Sequence, residues 1–122
     1  MFGMAVNLAQ VCLFKQNGET VRQFCDVVSG DVEMDDADVG GLLSYRMGNA
    51  TVAHHPPMGD LAENDVLVTL QVDNPRAVDR IFAGLLRVGL HVDDEPEDTE
   101  HGWRVFYFRA APNLLFEVGA PL

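Results

Sequence analysis

Basic residues are scarce in this chain of 122 residues: 8 Lys plus Arg stand against 19 Asp plus Glu, a formal charge of −11. The scarcity excludes nucleic acid and an anionic membrane surface as partners, because phosphate binding rests on clustered Lys and Arg. Long apolar runs are missing as well. No stretch approaches the roughly 20 residues that span a bilayer, and the opening MFGMAVNLAQ shows no basic leader or cleavage site, so a cytoplasmic protein is expected. Cysteine is limited to Cys12 and Cys25. They are too widely spaced for a zinc knuckle or a redox pair, and in a reducing compartment they read as buried apolar side chains. In that compartment the sequon Asn49-Ala50-Thr51 is idle. A phosphate loop, a dinucleotide glycine pattern, a nucleophile elbow and a paired CxxC are also absent, which leaves metal chemistry, cofactor-free cavity chemistry or plain binding.

What is present suffices for one domain over residues 1–122. Apolar residues make up 48% of the chain, and at this size about 65% of the unfolded surface can be buried without disulfide or metal staples. The acids are concentrated. Residues 31–38 (DVEMDDAD) hold five and residues 93–100 (DDEPEDTE) hold six, with no Lys or Arg in either run, so that outside them eight acids meet eight bases.

Period-two alternation predicts a strand over 5–14, with Leu8, Gln10, Cys12 and Phe14 on one face. A helix follows, capped by Asn17 and stopped by Gly30, its apolar side formed by Val21, Phe24, Cys25 and Val28. Three short strands are expected near 31–36, 41–48 and 50–55, the last two joined as a hairpin at Gly48-Asn49. The segment 56–65 (PPMGDLAEND) is a connector, and then the pattern restarts. A strand at 66–72 leads to a helix from Asn74-Pro75 to Gly89, followed by extended segments near 90–94, 103–109 and 113–118. Asn17 and Asn74 thus mark equivalent helix starts 57 residues apart. Two copies at so long a period make a pseudo-symmetric pair of modules, one over about 5–55 and the other over about 66–118, rather than a solenoid.

This repeat, above all VTLQVDNPRAVDRIFAGLLRVGL followed by EPEDTEHGWRVFYFRAAPNLLFEV, resembles the vicinal oxygen chelate superfamily of glyoxalases, extradiol dioxygenases and bleomycin-resistance proteins. Gly102-Trp103 and Glu117 match its pattern well. The resemblance implies an α+β fold of two tandem βαβββ modules. Each would be a curled four-stranded mixed sheet forming half of a cup, with its helix packed outside. In the enzymes of that superfamily the first and last strand of each module supply ligands to a divalent metal. Here the corresponding positions are Gln10, His54 or His55, Leu67 and Glu117. A leucine coordinates nothing, so no metal or other cofactor is favoured; if a divalent metal binds, Gln10, His54, His55 and Glu117 are its candidate ligands. In the turn before the last strand, Asn113 stands where a left-handed residue is expected and can supply that conformation.

Alternation places Trp103, Val105, Tyr107 and Arg109 on one face of their strand and Phe106 and Phe108 on the other, against a helix. The ligand-binding set expected to line the cup is Tyr45, Met47, Leu67, Thr69, Trp103, Tyr107 and Glu117. An apolar, aromatic cavity with few polar groups suits a small molecule. The expected function is therefore sequestration of a planar or cationic small molecule, as in the bleomycin-resistance type, by a homodimer whose metal-ligand set is incomplete for an enzyme of that superfamily. A metal-dependent lyase, isomerase or dioxygenase resembling glyoxalase I is the alternative, and an accessory domain without a small ligand is the second.

Overall fold

Apolar alternation and two amphipathic stretches give eight strands and two helices among the described residues. The computed structural model describes residues 5–15, 19–28, 32–36 and 41–122, so Asn17 and Gly30 lie outside the described residues. The first half contains β1 (Val6–Phe14), α1 (Glu19–Val28), β2 (Val32–Asp36), β3 (Leu42–Met47) and β4 (Ala50–His55). The second contains β5 (Val66–Val72), α2 (Pro75–Arg87), β6 (Glu97–Asp98), β7 (Trp103–Ala111) and β8 (Leu114–Pro121). All strands join one mixed sheet in the order β2-β3-β4-β1-β5-β8-β7-β6. The two halves mirror one another about the β1–β5 pair: that pair is antiparallel, while β1–β4 and β5–β8 are parallel. Both acidic runs overlap the outermost strands, β2 and β6.

Local chemistry accounts for the element boundaries. Asn74 caps α2 by accepting the Ala77 N–H at 3.0 Å, with Pro75 in the first helical position. The helix ends in a Schellman motif: Gly89 takes φ +88°, its N–H bonds the Leu86 carbonyl, and the Leu90 N–H bonds that of Leu85. Met47 pairs Ala50 across a two-residue hairpin in which Gly48 alone is left-handed, at φ +63°.

The largest core lies between α2 and the outer face of the second module. Val72, Val78, Phe106, Val118 and Ala120 are buried there, and Phe82 meets Phe106 edge-on at 5.6 Å. Phe106 and Phe108 thus face the helix, as alternation predicts. Under α1 the core is smaller, formed by Cys25, Leu43 and Tyr45. A third cluster, Cys12, Phe14 and Ala53 with Leu42, Leu61 and Leu67, fills the inner face of the first module.

Three local expectations are corrected. The second strand of module two is β6 at 97–98 rather than a strand near 90–94, because Val92 drops into the α2 core and holds that segment as a loop. A β-bulge between Leu8 and Gln10 separates their faces: Leu8 pairs Leu70 and Gln10 pairs Thr69, neighbours of opposite parity on β5. Asn113 is not left-handed, since Asn64 at φ +73° is the one such non-glycine among the described residues. A register shift between Arg109 and Ala111 reshapes the hairpin. Freed from that duty, the Asn113 amide donates to Asp65 Oδ1 at 2.9 Å.

Candidate functional site

Glu117 is the polar centre of the inner face. It lies on β8 between Thr69 of β5 and Tyr107 of β7, which are its direct partners in register. Cross-strand partners share a face, so both hydroxyls reach the carboxylate. Thr69 Oγ1 donates to Oε1 at 2.8 Å and Tyr107 Oη donates to Oε2 at 2.7 Å. Burial and the adjacent carboxylate push the Tyr107 phenol well above its ordinary value, burial being the larger cause. A carboxylate oxygen accepts more than one hydrogen bond, so Glu117 is held in place with acceptor capacity left toward the cup.

Above it opens a cavity of about 270 Å³ whose walls include Trp103, Val105, Tyr107, Gln71 and Gly119. Trp103 is oriented by a tight turn. Gly102 takes φ +83°, the Trp103 N–H donates to Thr99 Oγ1 at 3.3 Å, and the Thr99 N–H donates to the Trp103 carbonyl at 2.7 Å. Gly119, opposite Val105, keeps the cavity open: a Cβ there would stand 3.0 Å from Val105 Cγ1 and 3.6 Å from the Trp103 ring.

Of the residues expected to line the cup, Thr69, Trp103, Tyr107 and Glu117 border this cavity together. Leu67 faces the same side but packs with Cys12, Phe14 and Ala53. Tyr45 and Met47 do not reach the cup. They belong to the cluster beneath α1, and the Tyr45 hydroxyl donates to Asp26 Oδ1 on that helix at 2.7 Å. The reason is parity: Tyr45 pairs Val52 and so lies on the face opposite to Ser44 and Ala53. Ser44 pairs Ala53 just as Tyr107 pairs Glu117, so Ser44, not Tyr45, is the counterpart of Tyr107. Gln71, Val105 and Gly119 were missed as site residues. Period two from Leu67 and Thr69 reaches Gln71, and the face shared with Trp103 and Tyr107 includes Val105. Gly119 lies beyond the expected end of its strand.

The candidate metal ligands do not converge. Gln10 hydrogen-bonds the Cys12 side chain, whose thiol burial pushes up to about 11. His54 pairs Leu43 and Leu13, shares the α1 side with Leu43, and bonds the Lys15 carbonyl through Nε2 at 2.9 Å. His55 shares the inner face with Phe14, its ring 6.0 Å away, and its Nδ1 lies 2.6 Å from the Pro56 carbonyl. In the first module the position equivalent to Glu117 is Ala53, because Cys12 pairs Ala53 as Thr69 pairs Glu117. Among the described residues no group of three or more His, Cys, Asp or Glu is placed to hold a metal. With Leu67 and Ala53, which offer no donor atom, at two of the four positions, this donor set does not fit a divalent metal.

No protein-family model and no curated protein sequence matches the chain. Solved structures do. A Legionella pneumophila protein described as an NAD-dependent benzaldehyde dehydrogenase superposes with a TM-score of 0.64 at 11% identity, covering 93% of this chain and 98% of that one. A glyoxalase/bleomycin resistance protein/dioxygenase superfamily member from Vibrio splendidus 12B01 gives 0.57 at 13% identity, over 98% of this chain and 100% of that one. The Mn(II)-bound glyoxalase from Novosphingobium aromaticivorans gives 0.59 at 20% identity, over 94% of this chain and 38% of that longer one. The chain has the vicinal oxygen chelate fold.

Proposed function

We propose that the protein binds a small molecule, planar or cationic, in the cup of its second module. One observation carries the reading: a single carboxylate, Glu117, is fixed by two hydroxyls at the floor of a cavity walled by Trp103, Val105 and Tyr107. An aromatic wall beside a lone anion favours a flat cation, through stacking, cation–π attraction and direct pairing. Sequestration rather than metal-assisted turnover fits the donor set, and fold alone does not choose among the chemistries found on this scaffold. The same reading takes the protein as a cytoplasmic homodimer. No helix among the described residues is long and apolar enough to cross a membrane.

Trp103 is the only tryptophan, so its fluorescence reports on the cavity. Titration with a panel of cationic aromatic compounds is expected to give saturable quenching, and its absence across the panel favours an accessory domain. Elemental analysis with a thermal-shift screen over Ni, Zn, Mn and Fe tests the rival. One tightly held, stabilising metal per chain would transfer the protein to the metal-dependent class.

A further inference from the structure

A second cavity, of about 410 Å³, lies on the other side of Tyr107. Tyr107 lines both spaces, is 44% exposed, and is tethered through its hydroxyl to Glu117 Oε2. The far cavity has an apolar floor, Leu67 and Leu115, which pair in register two residues along from Thr69 and Glu117. Its mouth is anionic: Asp60 comes from the connector and Asp93 and Asp94 from the loop before β6. Asp93 Oδ1 bonds His91 Nε2 at 2.8 Å, and Arg109, which also lines the space, donates to the Pro112 carbonyl at 2.8 Å.

We propose that the two cavities are subsites of one groove with Tyr107 as their shared wall, and that the ligand is an elongated molecule with a planar cationic head and a basic group on an apolar linker. The inference rests on the small-molecule reading above and adds the second half of the ligand. The head lies between Trp103 and Glu117. The linker passes Tyr107 over Leu67 and Leu115, where alkyl surface leaves water. The basic group ends among Asp60, Asp93 and Asp94, whose combined field outweighs that of Arg109. Tyr107 then sets the length at which head and tail are both seated.

Two probes that differ only at the tail provide the test: N-hexylpyridinium, and N-aminohexylpyridinium with its terminal amine. Both are read by Trp103 quenching at low ionic strength. The amine probe is expected to bind three- to tenfold more tightly, as one or two partly exposed charge pairs allow. That lead is expected to disappear in the Asp93→Asn/Asp94→Asn double variant, with folding checked by circular dichroism. Equal affinity of the two probes for the wild type, with Glu117→Gln weakening both, overturns the second subsite and leaves the first standing. A lead that survives in the double variant also overturns it. Failure of both probes to quench overturns the head site and the extended ligand together.

Discussion

Two hydroxyls, those of Thr69 and Tyr107, hold Glu117. Glu117→Gln keeps the size and removes the charge, so affinity for a cationic aromatic is expected to fall by about tenfold or more, the usual worth of a charged hydrogen bond; calorimetric titration measures it. The two tyrosines of the chain, Tyr45 and Tyr107, make a second prediction. Burial, joined by Asp26, pushes Tyr45 up to about 12, and burial with Glu117 pushes Tyr107 higher. A phenol whose native value is raised contributes stability that is complete below the ordinary value of 10.0 and is lost as pH rises beyond it. The folded protein should therefore show no phenolate absorbance just above that pH, with both tyrosines ionising together as the chain unfolds in alkali. Phenolate appearing at the ordinary value in a folded sample would contradict this. Glu117 and its cup-facing parity were legible in the sequence, since Leu114, Phe116 and Val118 mark the opposite face. Tyr45 was not, because an aromatic on a short strand looks the same on either face until the register with β4 is known.

The two helices differ in how firmly they are seated. α2 has a side-chain cap, a Schellman stop and a buried stripe, whereas α1 buries only Cys25 while Phe24 is 65% and Val27 87% exposed. Amide exchange is expected to be faster along α1 than along α2. Asn74→Ala should cost about 1 kcal/mol through loss of the Ala77 bond, and Phe106→Ala about 3–5 kcal/mol as a core truncation, both read from urea midpoints. Element order and the repeat could be read from the sequence because caps, stops and alternation are local signals. What escaped depended on distant partners: β6 owes its place to pairing with Val105 and Arg104, and the bulge at Leu8–Gln10 exists only against β5.

For the molecule as a whole, charge and connectivity decide the response to solvent. With a net charge of −11, self-repulsion is strong at low ionic strength, so the melting temperature should rise as salt approaches physiological levels. Acid acts elsewhere. Asp65 accepts the Ala62 N–H at 2.8 Å and the Asn113 amide, contacts that hold its carboxyl below the ordinary 3.8. Its contribution is complete above that value and is lost as pH falls through the lowered native one. Asp65→Ala should flatten the acid limb of the stability profile, because it removes the carboxyl whose protonation breaks these contacts.

The connector has one more consequence. Between its paired residues Met58 and Leu61 it turns through Gly59, and Leu61 then packs with Cys12, Phe14 and Ala53 where a second cup would otherwise lie. The two halves of the fold are therefore unequal in mutational tolerance. Substitutions on the inner face of the first half meet a packed cluster, and those on the inner face of the second meet an open cavity.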